Sequence, residues 1–347
     1  MRLSKSKDGI ERHVTMRDII EKVPIPTAGV ALALTALGNL LQPAYEGIHI
    51  LCGAVALFLI VLLAAKAVMF PQLIRDDLHN SIMASVSGTV FMTLMQFSNY
   101  LAPLAFGPAF ALWVAATMAH LALIVWFTVR FFRPFKLHEV FPTYFICYVG
   151  IVVASVTSPA FGMQALGQAI FWFGFACYAA LLVLVTYRYA KHEVPEGARP
   201  LFCIYTAPMS LSIVGYLAVT DAPNALFVGV MMALAQVLFL VVLSRLPRLL
   251  RLLRLKFYPS YAAMTFPFVI TATALGQGTA FFRANGVALP FAFDVVFYVE
   301  VALATIMVAY VLAHYLSFFF RRIEQPQSVA VLKENAQIAR FSENFDN

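Results

Sequence analysis

The sequence predicts an all-α integral membrane protein whose chain crosses the bilayer ten times as five helical hairpins. Three observations predict it. Of the 347 residues, 62% are hydrophobic and only 12% charged, with a mean hydropathy of +0.83, which leaves too little polar sequence to coat soluble domains. The apolar residues fall into successive runs near the ~20 residues that a helix needs to traverse hydrocarbon. The basic residues are confined to alternate connections between those runs, as positive-inside topology requires.

The runs are 24–42, 48–70, 82–103, 108–131, 141–159, 163–187, 200–220, 225–244, 259–282 and 290–318. Close neighbours are separated by helix-breaking residues: Pro103 and Pro108, Pro159 and Gly162, and Ala222-Pro223-Asn224. Cations are sparse in the odd-to-even connections. They collect at Arg75, at Arg130, Arg133 and Lys136, at Arg188, Lys191 and Arg199, and from Arg245 to Lys256. Together with the basic residues of 1–22 and with Arg321-Arg322, these share one face only if the number of spans is even and both termini are cytoplasmic. The expected organisation is a cytoplasmic segment 1–22, a ten-helix domain 23–322 and a polar cytoplasmic tail 323–347 in a plasma (bacterial inner) membrane. Residues 1–22 lack the short apolar core of a cleavable signal. The net charge of +7 is explained by this topology, so the expected partner is the lipid bilayer and not nucleic acid.

Odd and even spans differ in chemistry. About twenty Ser and Thr lie in the odd spans and about six in the even ones. Pro26, Pro142, Pro208 and Pro267 lie at or within odd spans, where a proline bends the axis and frees a carbonyl. Such backbone is tolerated at membrane depth where protein or a wet cavity surrounds it. The contrast describes an inner ring of five odd helices forming a pore and an outer ring of five even helices. Close helix packing through small residues is the alternative reading of the same contrast. Helical spacing gives span 3 a face of Ser81, Ser85, Gly88, Met92 and Gln96, and span 9 a face of Phe266, Ile270, Thr273 and Gln277. The expected lining is Thr27, Ser85, Gly88, Thr89, Met92, Ser155, Thr206, Ser210, Thr273 and Gln277.

Three ionisable residues fall inside spans: His120, Glu300 and His314. Glu300 and His314 share a face but stand roughly 21 Å apart. All three lie on even spans, where interhelix hydrogen bonding or an oligomer contact explains them better than a proton relay. Asp76-Asp77 forms an acidic pair in the loop between spans 2 and 3, but no second acidic cluster faces it. Cys52, Cys147, Cys177 and Cys203 are widely separated and lack metal or redox spacing. With no glycine-rich phosphate loop and no nucleophile-base arrangement, no catalytic residues, metal or cofactor are expected.

Val23-Pro24-Ile25-Pro26-Thr27 running into Ala28-Gly29-Val30-Ala31-Leu32, and Tyr261-Ala262-Ala263-Met264-Thr265-Phe266-Pro267 at span 9, resemble motifs of the tellurite-resistance/dicarboxylate transporter family. That family includes bacterial tellurite-resistance channel homologues, fungal malate transporters and plant slow anion channels. The resemblance implies a pseudo-fivefold ring around a pore, a homotrimer of independent pores, and a Phe matching Phe266 that plugs the pore beside a small residue of span 1, here Gly29. It also implies a small inorganic or organic anion as the transported partner, by a channel or channel-like exporter. A proton-coupled carrier of C4-dicarboxylates using Glu300 or His120 is the alternative. A membrane enzyme acting on a lipid diphosphate through Asp76-Asp77 is a third.

Overall fold

The computed structural model describes residues 15–321, so the expected tail 323–347 and most of the segment 1–22 lie outside the described residues. The chain enters through a short helix, Met16–Lys22, whose first turn is closed by a capping box between Thr15 and Asp18. It then bends by 89° into Thr27–Leu41, and Pro24 and Pro26 occupy the bend.

From there the helical segments form units in chain order. α1 is Thr27–Leu41, α2 is Glu46–Met69, and α3 is Ser81–Val86 followed by Gly88–Leu101. α4 is Phe106–Phe127 with a π-helical turn, Thr128–Phe132, at its end. α5 comes in three pieces, Thr143–Tyr148, Val152–Thr157 and the 3-10 turn Ser158–Phe161, and α6 is Gln164–Lys191. α7 joins a 3-10 stretch, Glu196–Thr206, to Ala207–Val219, and α8 is Ala225–Leu255. α9 joins a 3-10 turn, Pro259–Met264, to Phe266–Ala284, and α10 is Ala292–Phe320.

Among the described residues, seven segments are long and apolar enough to cross a membrane, and eight if the bent pair Met16–Lys22 and Thr27–Leu41 counts as one span. The chain is a multi-pass α-helical membrane protein. α3 and α9 fall outside that set. Ser87 divides α3 into two short pieces, and α9 carries Thr271, Thr273, Gln277, Thr279 and Arg283. Both pack on several neighbouring helical units, α3 on α1, α2, α4 and α5, and α9 on α1, α7, α8 and α10.

The packing order is regular. α1 packs on α3, α3 on α5, α5 on α7, α7 on α9, and α9 closes the circle on α1. Each even unit lies over the seam between two odd ones: α2 on α1 and α3, α4 on α3 and α5, α6 on α5 and α7, α8 on α7 and α9, α10 on α9 and α1. Burial follows the same rule. Every residue from Thr27 to Gly38 of α1 is buried, whereas α2 exposes Ile50, Leu57, Val61 and Val68.

Two features differ from the sequence reading. The basic stretch after residue 244, expected as a connection, is helical, because α8 continues through Arg245, Pro247, Arg248 and Arg251 to Leu255. Pro247 therefore lies inside an even helix. The four odd-unit prolines also do not kink continuous helices. Pro26 and Pro142 immediately precede the first turns of α1 and α5, while Pro208 and Pro267 lie within first turns. In a first turn the missing N–H has no intrahelical partner to lose.

Candidate pore

The irregular backbone of the inner units converges on one place. α3 breaks at Ser87, α5 opens between Tyr148 and Val152, and α7 and α9 change from 3-10 to α-helix at Thr206–Ala207 and Thr265–Phe266. α1 begins there, at Thr27. These points surround a cavity enclosing about 740 Å³ of empty space including its open end, with walls from all five inner units. α1 contributes Gly29, α3 Thr89 and Met92, α5 Val149 and Gly150, α7 Ile204 and Pro208, and α9 Ala262 and Phe266.

The wall is almost wholly apolar. Its side-chain hydroxyls belong to Thr89 and Ser260, and both are turned onto the backbone: Thr89 Oγ1 donates to Val86 O at 2.7 Å and Ser260 Oγ to Gly197 O at 2.5 Å. Among the described residues no ionisable side chain borders the cavity. Phe266 is 7% exposed and follows Thr265, whose hydroxyl donates to Ala262 O at 2.6 Å and closes the 3-10 turn.

Two glycines border the cavity where inner units approach one another. A Cβ on Gly29 would meet Ala262 Cβ at 3.5 Å and Thr89 Cγ2 at 3.9 Å, so α1, α9 and α3 approach within ordinary contact there. A Cβ on Gly150 would run into Ile146 O and lie 2.6 Å from Met92 Sδ. Only glycine fits the open turn of α5 without displacing Met92.

Of the residues expected from sequence, Pro26, Gly29, Thr89, Met92, Pro208, Phe266 and Pro267 border the cavity. Pro142, Thr27, Ser85, Gly88, Ser155, Thr206, Ser210, Thr273 and Gln277 lie off it. Ser85 donates to Ser81 O and Ile82 O on its own helix, and Gly88 faces His120. Thr206 and Ser210 share hydrogen bonds of 2.9 and 3.2 Å with Thr271, across the α7–α9 seam. Thr93 similarly donates to Ala28 O across the α3–α1 seam. Thr27 and Ser155 are buried with hydroxyls that find no partner. Thr273, half-buried, bonds Val269 O, and Gln277 is exposed farther along α9. The hydroxyls of the inner units therefore mostly close seams between helices or bond their own backbone, while methyl and ring carbons face the cavity.

Several outer-unit side chains hold this arrangement from behind. His120 of α4 is fully buried, and its Nε2 lies 2.8 Å from Cys147 O, beside the opening in α5. A carbonyl can only accept, so Nε2 carries the proton in that contact. Trp113 Nε1 donates to Thr157 Oγ1 at 2.9 Å. At the inner helix entries, Lys66 Nζ donates to Val23 O at 2.8 Å, Arg188 donates to His138 O, and Tyr315 OH donates to Pro259 O. In each case the donor belongs to the even member of a hairpin and the acceptor to the entry of its odd member. The charge pattern of the sequence counts Arg188 among the topology charges and does not single out Lys66. Their signal is a single cation placed inside the last turns of an otherwise apolar run.

The remaining candidates lie elsewhere. Glu300 on α10 is 2% exposed, and neither carboxyl oxygen closes a hydrogen bond; its polar neighbour is Gln236 of α8. His314 packs edge-on against Tyr310 at 4.7 Å. Asp76 and Asp77 end the short helix Pro71–Asp77. Burial pushes the Asp77 carboxyl above its ordinary range, Lys66 opposes that shift, and Asp76 adds to it.

A family model described as "SLAC1: Voltage-dependent anion channel" matches residues 23–316. No curated protein matches the chain.

Proposed function

The chain belongs to the voltage-dependent anion channel (SLAC1) family, and from that premise we propose that small anions cross the membrane through the cavity inside the ring of odd units, with Phe266 as the side chain that closes it. The family is one of channels and transporters, and the protein is a multi-pass membrane protein with anions as its substrate class. The observation that carries the finer reading is the convergence of five backbone irregularities on one cavity enclosed by a continuous ring of helices. Interrupted helices at membrane depth occur where protein encloses them or where they line a passage.

The proposal includes ten crossings, both termini cytoplasmic, and an inner ring that forms the pore. The five seams between odd units and the placement of each even unit over one of them fit that topology without rearrangement of the chain order. The apolar wall supports closure by dewetting, since a constriction of aliphatic side chains and the rings of Phe145 and Phe266 excludes a hydrated ion until it widens. Anions are attracted by the basic ends of the outer helices and by the first turns of the inner ones, whose peptide dipoles point positive toward the cavity. A cavity wall that among the described residues is built of apolar side chains and backbone-bonded hydroxyls supports passive flow over proton coupling. A homotrimer of such pores, implied by the resemblance, belongs to the same proposal.

Chloride and nitrate flux into proteoliposomes tests it. Phe266→Ala removes the ring while keeping the backbone, and flux is expected to rise by at least about tenfold, equivalent to removing ~1.4 kcal/mol of barrier. Unchanged flux in a variant that still elutes as the wild type would overturn the gate.

A further inference from the structure

A second concavity, of about 450 Å³, lies where the end of α8, the entry to α9 and the end of α10 meet. Arg254, Lys256 and Arg321 border it with the hydroxyl-bearing Ser317. Its floor is aromatic: the rings of Phe257 and Phe318 stack with centroids 4.5 Å apart and planes 19° from parallel. His314 completes the rim, and Lys22 donates to Arg321 O at 2.8 Å, holding the backbone there.

Topology accounts for positive charge on this face of the membrane, but it does not gather that charge into one concavity. At the two helix ends the carbonyl of Leu252 accepts from the Lys256 N–H at 3.3 Å and that of Ser317 from the Arg321 N–H at 3.1 Å, so these two bonds use backbone donors and not the arginine side chains. Among the described residues no carboxylate pairs with Arg254 or Arg321. Both are exposed and open to a ligand.

We propose that this concavity binds a phosphate monoester group. The two guanidinium forks and the Ser317 hydroxyl supply donors suited to its oxygens, and arginine matches phosphate with two parallel bonds; the Lys256 ammonium, 5.2 Å from the Tyr258 ring centroid, adds positive charge beside them. The Phe257–Phe318 floor receives the apolar part of the ligand. A membrane lipid headgroup and a soluble phosphate ester share this chemistry, and basic pockets between helix ends are a known setting for the former. Binding here does not depend on the pore reading, and flux through Phe266→Ala is a separate measurement.

The full-length protein in phosphatidylcholine nanodiscs provides the test. Labelled dioleoyl phosphatidate in the disc and glycerol 3-phosphate in solution are titrated in parallel. Saturable binding of phosphatidate alone assigns a lipid, and saturable binding of glycerol 3-phosphate assigns a soluble ester. Arg254→Ala with Arg321→Ala is expected to weaken the bound probe about 30-fold, from ~1 kcal/mol for each basic residue. Both side chains are exposed, so the melting temperature should hold. Ser317→Ala with Lys256→Gln is a second variant expected to weaken the same probe. Binding of neither probe would overturn the proposal, as would equal affinity in the arginine variant. Displacement by chloride at the same concentration as by phosphate ester would also overturn it.

Discussion

α5 and α7 differ from α2 and α10 in a way that runs against the rule for water-soluble proteins. The membrane-length windows of α5 and α7 are 78% and 83% buried, while those of α2 and α10 are 33% and 28% buried. The exposed helices are unbroken over 24 and 29 residues. The buried ones come in pieces and carry the prolines and most of the hydroxyls. Hydrocarbon is as apolar as leucine, so apolar surface gains little by turning inward. A broken backbone does gain, because its unpaired amides and carbonyls find partners only in protein or water. In this molecule backbone continuity, more than apolarity, sorts helices between ring and sheath.

That contrast predicts unequal responses to similar substitutions. The largest effect is expected at the inner opening, where Gly150→Leu must displace Met92 and the carbonyl of Ile146. A loss of about 3 kcal/mol or failure to yield monodisperse protein is expected, while Gly107→Leu on α4, with nothing within 4 Å of the added Cβ, should elute and melt as the wild type. Equal damage at both positions would break the comparison. An intermediate effect is expected where the sheath supports the ring. His120→Ala leaves Cys147 O without its partner and should cost about 1–3 kcal/mol, read as a lowered melting temperature in detergent. His120→Gln should restore part of the loss by supplying a donor. The smallest effect belongs to the lipid face, where Val183, 72% exposed on α6, should tolerate alanine within about 0.5 kcal/mol in the same assay.

Much of this division was legible in the residues themselves. The hydroxyl and proline content of alternate runs separates inner from outer units, because the same residues that weaken a lipid-exposed helix are tolerated inside. Motif singles out Phe266 and Gly29, spacing Met92, and the hydroxyl content of span 3 Thr89, and all four border the cavity. The orientation of the hydroxyls was not legible. Thr206 and Ser210 have the spacing of a lining face, but Thr271 on another unit takes their hydrogen bonds, and a single helix's periodicity cannot report a partner sixty residues away. Ser85 satisfies itself on its own backbone, as hydroxyls in apolar surroundings do. The course of α8 past Pro247 was hidden because its arginines read as the end of a span. They mark the end of the apolar run only, and the helix outlasts it.

The inverse placement of His120 and Glu300 has the same cause. A lone ionisable residue in an apolar run signals something buried, without saying which neighbour it meets. His120 meets the carbonyl beside the opening of α5, which makes it a support of the ring. Glu300 lies outside the cavity wall, near Gln236 on another outer unit.

The route itself is open to direct test. Leu32 lines the cavity from α1, and Leu32→Cys in a Phe266→Ala background, with Cys52, Cys147, Cys177 and Cys203 replaced by alanine, presents one thiol to it. Chloride flux is measured before and after a negatively charged methanethiosulfonate reagent. The account predicts that modification stops most of the flux and that the parent lacking the new cysteine is unaffected. Flux that persists through fully modified protein would place the anion path elsewhere and contradict the ring as the route.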